Sequence, residues 1–362
     1  MSASTLTLTV DAGTHRYPIH IGAGLLGDRA RLAAALPAGP LLLVSNVTVA
    51  PLYAPRLKAA LAPRVPAECL LPDGEAFKTL ATLATIYDRL AEARIHRDGA
   101  ILALGGGVVG DIAGFAAATW QRGIACVQLP TTLLAQVDSS IGGKTAVNHP
   151  AGKNLIGAFH APRAVLADLD TLATLPEREF RSGLAEIVKA ALVRDAGFLA
   201  WLEQSLPAIL AREPAPLAEA IHRACRIKAE IVAADEREHG ARALLNLGHT
   251  FGPAFEAAEG YGGWLHGEAV AAGIVLAAET SARLGWLDAA ALARVRALIE
   301  RAGLPVRGPR IGVERALSLM ALDKKVEAGR IRLVLLRALG EGVVSGDYDP
   351  AALRAVLAAG LA

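Results

Sequence analysis

The segment LALGGGVVGDIAGF, residues 102–115, decides the fold of the first half of the chain. The apolar run AILALGGG predicts a buried strand, and IAGFAAATWQRG predicts a helix four residues after it. Where the strand ends and before the helix, Gly105, Gly107 and Gly110 fit the spacing G-x-G-x-x-G. Glycine lets a backbone approach a pyrophosphate, and a helix N-terminus favours an anion. The acidic residue usual about 20 positions further on is not obvious, so a tight turn that needs glycine for packing is the alternative interpretation.

Strands and helices alternate on both sides of this turn. Residues 5–10 and 17–21 alternate like strands, and GPLLLVSN and IACVQLP are typical of buried strands. LATLATIYDRLAEARIHRDG, residues 80–99, has helical spacing, and AVLADLD, residues 164–170, predicts a further strand. We therefore expect an α/β domain at residues 1–174, Rossmann-like and with a mainly parallel sheet.

The second half of the chain has a different periodicity. Residues 180–304 are nearly all helical in period and are interrupted by glycine turns, while residues 330–346 favour a short hairpin. We expect a second, mainly α-helical domain at residues 175–362.

Composition narrows the classes of function. A hydrophobic content of 53% supports a large core, and the longest apolar runs are shorter than the roughly 20 residues of a membrane span. The first residues do not resemble a signal peptide. A net charge of +2 without a Lys/Arg block argues against a nucleic-acid partner. Three cysteines far apart in sequence form no metal or disulfide pattern, which favours a reducing cytoplasm.

A second glycine-rich stretch, PTTLLAQVDSSIGGKTAVNHPAGKNLIG at residues 130–157, predicts a phosphate site. Glycine turns that present lysine and backbone N–H groups suit a phosphate, whereas an ordinary solvated loop would not lie beside so many apolar residues. Its polar candidates are hydroxyls, one acid, two lysines and an amide: Thr131, Thr132, Ser139, Ser140, Asp138, Lys144, Lys153 and Asn154.

Two histidines and one glutamate predict a metal site. Glu186 and Lys189 share a face of the predicted helix SGLAEIVKAALV, and His249 and His266 lie in glycine-bounded segments. Two histidines and a carboxylate form the three-ligand pattern of a catalytic Zn²⁺. The alternatives are a surface ion pair between Glu186 and Lys189 and ordinary core histidines.

Other polar residues have two interpretations. Arg242, Asn246 and His249 are spaced four and three apart and would share a face if that stretch were helical. The charged candidates could bind an anionic ligand or belong to solvated turns and charge runs; they are Asp73, Glu75, Lys78, Lys228, Arg242, Lys324 and Lys325. Together with the glycine turns, they predict a small, multiply anionic substrate.

The sequence resembles the 3-dehydroquinate synthases of the sugar-phosphate cyclase superfamily over nearly its whole length. The resemblance is carried, in chain order, by PDGEAFK, GGGVVGDIAGF, the segment 130–157, SGLAEIVK, LNLGHTFG, WLHGEAV and DKK. It implies a cytoplasmic homodimer that binds NAD⁺ and a divalent metal, Zn²⁺ or Co²⁺. The implied reaction converts 3-deoxy-D-arabino-heptulosonate 7-phosphate into 3-dehydroquinate and phosphate, through transient oxidation, phosphate elimination, re-reduction and an intramolecular aldol closure.

The resemblance also implies residue roles. The metal ligands would be Glu186, His249 and His266. The NAD-binding residues would be Asp73, Glu75, Lys78, Gly106, Gly107, Val108, Asp111, Thr131, Thr132, Lys144, Lys153, Thr171 and Thr174. The catalytic and substrate-binding residues would be Lys144, Asn154, Asp138, Lys189, Lys228, Arg242, Asn246, Lys324 or Lys325, and Arg122, which would reach the phosphate in the partner subunit.

One position departs from the family pattern. The family reads G-H-T-F-G-H, whereas this chain reads GHTFGP, so Pro253 replaces a histidine that assists proton transfer or substrate binding. Proline has no proton to transfer, and inside a helix it would clash with the carbonyl four residues back. We therefore expect either a helix that begins near Pro253 or a kinked segment after His249, and an enzyme that is active but impaired. The alternatives are a non-catalytic homologue, a metal-dependent polyol dehydrogenase and a different sugar-phosphate cyclase.

Overall fold

The computed structural model describes residues 5–13, 15–235, 240–260, 263–321, 326–327 and 330–361. The chain forms two compact units, Met1–Leu175 with Leu217–Ala233, and Pro176–Pro216 with Ala234–Ala362. The α/β and helical fold class predicted from the sequence is confirmed. No described helix has the length and apolar character that crossing a membrane requires.

The first unit is built on a seven-stranded sheet in the order β1-β2-β9-β6-β5-β3-β4. All pairings in it are parallel except that of β1 with β2. A separate antiparallel hairpin pairs β7 with β8. The strands are β1 Leu6–Asp11, β2 Arg16–Gly22, β3 Leu41–Asn46, β4 Ala67–Leu71, β5 Ala100–Gly105, β6 Ala125–Pro130, β7 Lys144–His149, β8 Gly152–Phe159 and β9 Ala164–Asp168.

Helices cover both faces of the sheet and make up most of the second unit. The helices of the chain are α1 Arg29–Ala35, α2 Ala50–Leu61, α3 Leu80–Glu92, α4 Gly107–Thr119, α5 Glu177–Arg194, α6 Ala196–Leu210, α7 Pro214–Ala234, α8 Gly252–Ala258, α9 His266–Arg283, α10 Ala289–Arg301, α11 Val313–Ala321 and α12 Pro350–Gly360. The second unit also has short strands, β10 Val326–Glu327, β11 Arg330–Ile331, β12 Leu333–Ala338 and β13 Glu341–Ser345. The last two form the hairpin that the sequence favours.

Strands β3 and β5 are buried along their whole length. A parallel strand covered on both faces needs a continuous apolar run rather than alternation, and LLLV and AILAL provide it. Two apolar clusters pack against the sheet, one with α1 and α2 and the other with α3 and α4.

Helix α7 departs from the boundary expected after residue 174, because Leu217–Ala233 belongs to the first unit. The helix buries an apolar stripe that includes Ile221 and Ile227. Its Cys225 thiol also donates to the Gln136 carbonyl at 3.4 Å. The two predicted domain ranges themselves remain a prediction.

The three cysteines are free and buried. Burial raises the pKa of the Cys126 and Cys225 thiols to about 12. These two groups therefore remain neutral thiols, which are poor nucleophiles and poor metal ligands.

Candidate functional site

The glycine turn lies at the point where the sheet reverses its strand order. The chain runs outward from β3 to β4 and then returns to the other side of β3 to form β5. Ligands of open α/β sheets bind outside the carboxyl ends of the strands at such a switch point. Strand β5 ends at Gly105, Gly106 caps α4, and α4 begins at Gly107. The N-terminal backbone amides of α4 are therefore placed where an anionic ligand is favoured.

Residues at and just after the neighbouring carboxyl end of β3 hold the side chain of Asp73, another predicted binding residue. The side chain of Asn46, the last residue of β3, donates to Asp73 Oδ1 at 2.7 Å, and Thr48 donates to Asp73 Oδ2 at 2.7 Å. Asp73 is thus held beside the switch point. Asp73 is also exposed in a bend, so its position is compatible with both a binding role and a solvated turn.

Close contacts account for the glycines of the turn. A Cβ on Gly106 would lie 3.0 Å from Thr132, and one on Gly107 would lie 3.1 Å from the Ser139 hydroxyl. A Cβ on Gly110 would lie 2.8 Å from Gln128 Oε1. Gly110 serves packing, which supports the interpretation of the motif as a tight packed turn. Gly106 and Gly107 bring the turn against the hydroxyl-rich segment, which supports the interpretation as a pyrophosphate-binding turn.

Lys78 joins three predicted segments of the first unit. Its buried ammonium group donates to Asp111 Oδ2 at 2.5 Å and to Asn154 Oδ1 at 2.6 Å. Burial raises the pKa of the Asp111 carboxyl, while the Lys78 charge opposes that rise. The interpretation of Lys78 as part of a solvated turn is wrong, since the residue is only 3% exposed.

Asn148 completes this network and was missed in the sequence. Its side chain donates to Glu75 Oε1 at 2.7 Å, and its Oδ1 accepts from the Asn154 backbone N–H at 2.9 Å. Asn154 itself has a φ of 56°. Asn148 is the fifth of the six residues of β7 and carries no charge, so the sequence gave no signal of its role.

Thr171 and Thr174 follow β9 and contact two residues that sequence reasoning also missed. The Tyr53 hydroxyl lies 2.5 Å from Thr174 Oγ1 and donates to the Thr171 carbonyl at 3.0 Å. Gln136 donates to Thr171 Oγ1 at 3.2 Å. These long-range contacts fix the segment after β9, where two of the predicted NAD-binding hydroxyls lie.

Asp138 pairs with Lys228. Asp138 lies in a single π-helical turn, Ala135–Ser139, and turns of this kind are frequent at functional sites. Lys228 on α7 donates to both Asp138 Oδ1 and the Asp138 carbonyl at 2.6 Å. Lys228 is 7% exposed, so its assignment to a solvated charge run is wrong.

The remaining basic candidates of the first unit lie on or near the hairpin and the end of α4. Lys144 begins β7, and Lys153 lies in β8. Arg122 is exposed in the turn after α4, with a φ of 67°. A positive φ is uncommon for a residue with a side chain.

In the second unit, α5 carries Glu186 and Lys189 deep inside the protein. Every residue from Ser182 to Val193 is buried, with Glu186 3% and Lys189 2% exposed. The two side chains form an ion pair through Glu186 Oε2. The interpretation of this pair as a surface ion pair is therefore wrong.

Glu186, His249 and His266 converge on one point. The Nε2 atoms of both histidines lie 3.8 Å from Glu186 Oε1, and one ligand atom from each residue lies within 4.8 Å of the others. Glu186 Oε1 is buried and has no hydrogen-bond partner among the described residues. A buried oxygen of this kind is explained by an ion or a water at the site, and two imidazoles with a carboxylate fit a divalent metal.

Glycines beside both histidines make this convergence possible. Gly248, with a φ of +81°, precedes His249, and a Cβ there would lie 2.5 Å from the Val270 carbonyl of α9. A Cβ on Gly267, just after His266, would overlap the Ser182 carbonyl of α5. The His249 turn and α5 therefore both press against α9 at backbone distance, which is why the histidines lie in glycine-bounded segments.

Arg242 and Asn246 lie in a 3-10 helix, Ala241–Asn246, followed by turns up to α8. The condition for a helical face shared with His249 is not met, because the 3-10 helix ends at Asn246, before that histidine. Arg242 is 2% exposed, which also excludes a solvated charge run for this residue. Lys324 and Lys325 lie outside the described residues.

Pro253 lies in the first turn of α8, which begins at Gly252. A first-turn residue needs no intrahelical N–H bond, so proline is tolerated there. Of the two expected geometries, the structure has the helix that begins beside the proline.

The comparisons with known proteins cover both units. The N-terminal domain family of 3-dehydroquinate synthase matches residues 68–182. The C-terminal domain family of 3-dehydroquinate synthase matches residues 183–326. The 3-dehydroquinate synthase of Nitrosococcus oceani is 57% identical over 353 residues, which are 97% of this chain and 98% of that protein.

Two solved structures share the fold. The 2-epi-5-epi-valiolone synthase of Streptomyces hygroscopicus, with NAD⁺ and Zn²⁺ bound, has a TM-score of 0.88 and 32% identity, over 95% of this chain and 96% of that one. A 2-deoxy-scyllo-inosose synthase complexed with carbaglucose-6-phosphate, NAD⁺ and Co²⁺ has a TM-score of 0.89 and 26% identity, over 98% of this chain and all (100%) of that one.

Fold and similarity define the class of the chain as that of the sugar-phosphate cyclases. The matched families and the near full-length identity then decide within the class. The chain belongs to the 3-dehydroquinate synthase family, as the resemblance implied.

Proposed function

We propose that this protein is a 3-dehydroquinate synthase, a lyase that converts 3-deoxy-D-arabino-heptulosonate 7-phosphate into 3-dehydroquinate and inorganic phosphate with NAD⁺ and a divalent metal, Zn²⁺ or Co²⁺. The observation that carries the proposal is the convergence of Glu186, His249 and His266 in a chain of this family. When bound, the two cofactors supply a transient hydride acceptor and a Lewis acid.

The NAD⁺ site is proposed at the switch point of the sheet. The first turn of α4 would receive the pyrophosphate on its backbone amides, since a helix N-terminus favours an anion. Asp73, held by Asn46 and Thr48, would accept hydrogen bonds from ribose hydroxyls. The other proposed contacts are Glu75, Lys78, Val108, Asp111, Thr131, Thr132, Lys144, Lys153, Thr171 and Thr174.

The metal is proposed to bind Glu186, His249 and His266. This set leaves positions open for substrate oxygens, as in catalytic sites with three protein ligands. Lys189, ion-paired to Glu186, places a further cation at the same point. Lys189 would lie beside the anionic substrate and bind the substrate hydroxyl groups that the metal orients.

The remaining proposed catalytic residues are chiefly cations, as a substrate with a phosphate and a carboxylate requires. Arg242 is buried and can bind a carboxylate through two parallel hydrogen bonds. The others are Lys144, Asn154, Asp138, Lys228, Asn246, Arg122, and Lys324 or Lys325. Few of them are candidates for a general base, which fits an elimination in which the substrate phosphate itself takes the proton.

The reaction is tested by measuring phosphate release and NADH absorbance together. With the heptulosonate phosphate, NAD⁺ and Zn²⁺ or Co²⁺, we expect phosphate release with no net NADH, because the hydride returns to the substrate within each turnover. Accumulation of NADH would instead indicate a polyol dehydrogenase. Binding of NAD⁺ and metal without phosphate release from any of a panel of sugar phosphates would indicate a non-catalytic homologue.

We further propose that the protein acts in the cytoplasm as a homodimer. Free, buried cysteines suit a reducing compartment. Strand β8 pairs with β7 in a two-stranded sheet and exposes Leu155 and Phe159, which lie on one face because they are four residues apart in a strand. An apolar face on a strand of this kind is typical of a surface that associates. Arg122 would act across the interface.

The double substitution of Leu155 and Phe159 by aspartate is expected to convert the dimer into a monomer. Opposed carboxylates on an apolar interface repel each other and resist burial. The measurement is sedimentation velocity at micromolar concentration. Val65→Asp is the matched control, since Val65 is 83% exposed and lies outside the hairpin. A wild-type protein that sediments as a monomer, or a double variant that remains dimeric, would contradict this interface.

A further inference from the structure

We propose that Glu256, which has no role in the reaction proposed for this protein, is a positioning residue that fixes the ring of His266 for metal binding. The inference rests on the proposed metal site. Glu256 Oε1 lies 3.4 Å from His266 Nδ1, while Nε2 of the same ring lies 3.8 Å from Glu186 Oε1. One edge of the imidazole therefore faces the metal-binding point, and the opposite edge faces a second carboxylate.

This arrangement decides which ring nitrogen carries the proton. A carboxylate beside Nδ1 favours the proton at Nδ1, so Nε2 keeps its lone pair for a metal. Carboxylate–histidine–metal arrangements of this kind orient the ring and raise its basicity. His249 has the same arrangement, with its Nδ1 3.2 Å from the Leu247 carbonyl and its Nε2 facing Glu186.

Burial argues against an incidental contact. Glu256 is 5% exposed, and a charged carboxylate is costly to bury without compensation. The His266 side chain is 37% exposed, and its ring also contacts that of His249 edge to face, with the centroids 5.1 Å apart. Glu256 adds an orienting contact at the Nδ1 edge of the ring, opposite the edge that faces Glu186.

The neighbouring residues show how the two segments are kept in register. The Phe255 ring lies 6.3 Å from that of Trp264 in an edge-to-face arrangement, so consecutive residues of α8 contact Trp264 and His266 at the entry to α9. The backbone at this entry is fixed from α5, because the Gly267 N–H donates to Ser182 Oγ at 3.0 Å. Helix α5 thus fixes the backbone of His266, and α8 fixes its side chain.

The test is the affinity of metal-free protein for Zn²⁺, measured by competition with a chelating dye, and the visible spectrum of the Co²⁺-loaded protein. Glu256→Gln is expected to weaken Zn²⁺ binding by about 10–100-fold and to change the Co²⁺ spectrum. Glu259→Gln, an exposed neighbour at the end of α8, is the matched control and should bind like wild type.

Each outcome decides between the proposals. Wild-type affinity in a Glu256→Gln variant whose metal-free form unfolds at the wild-type temperature would refute the positioning role and leave the metal site intact. A wild-type protein that binds no Zn²⁺ or Co²⁺ would refute the metal site itself. If Glu256→Gln does not fold, the titration is made on Glu256→Asp, whose shorter side chain withdraws the carboxylate from Nδ1, and wild-type affinity would then refute the role.

Discussion

Pro253→His is expected to raise the turnover of the enzyme by about 10²–10⁴-fold, the usual contribution of one acid–base group. The resemblance implies a histidine at this position that takes part in proton transfer or substrate binding, and the proline side chain provides no donor, acceptor or proton for that purpose. Because α8 already begins at Gly252, a histidine can enter its first turn without changing the helix. Phosphate release under saturating substrate measures the effect.

Pro253→Ala separates the imidazole from the backbone. Alanine removes the proline ring without adding a proton-transfer group, so its turnover should stay at the level of the unmodified chain. Equal gains in both variants would attribute the effect to the backbone of α8. If histidine leaves turnover unchanged, Pro253 is not the cause of a deficit.

Glu186→Gln is expected to abolish stable metal binding and to lower phosphate release by more than about 10²-fold, beyond the range found for outer-shell partners. The substitution keeps the shape of the side chain but removes the charge that Glu186 Oε1 directs toward both histidines. Metal content after dialysis, measured by atomic emission, gives a readout that does not depend on turnover.

Glu177→Gln is a suitable control on the same helix. Glu177 forms exposed ion pairs with Arg181 and Arg212, and such pairs contribute at most about 1 kcal/mol. The Glu177→Gln protein should therefore retain both the metal and the activity. A Glu186→Gln protein that keeps a full equivalent of metal would show that the carboxylate is not a ligand.

The sequence predicted the parts of the molecule in which local pattern and chemistry agree. The apolar run that ends in glycine identified β5, because a buried parallel strand has strong local requirements, whereas the helix predicted from Ile112 begins earlier, at Gly107. The three proposed metal ligands were found because two imidazoles and a carboxylate in apolar, glycine-bounded segments form a donor set that suits a divalent metal. In the structure they converge, as the metal hypothesis requires.

The sequence failed where the outcome depends on contacts distant in the chain. Spacing alone could not tell that Arg242 lies in a 3-10 helix, since both helical types accept the same residues over one turn. The β7–β8 hairpin was not predicted, because its lysines and glycines resemble a loop. Asn148 and Gln136 were missed because a neutral amide shows its role only through partners that the fold supplies.

The convergence of Glu186, His249 and His266 has a consequence for stability. The proposed ligands come from three separate segments, α5, the turn before α8 and the first residue of α9. A metal bound to all three ties these segments together in the native state alone. We therefore expect its binding free energy to add to the free energy of unfolding, and the thermal stability of the helical unit to rise with the concentration of free metal.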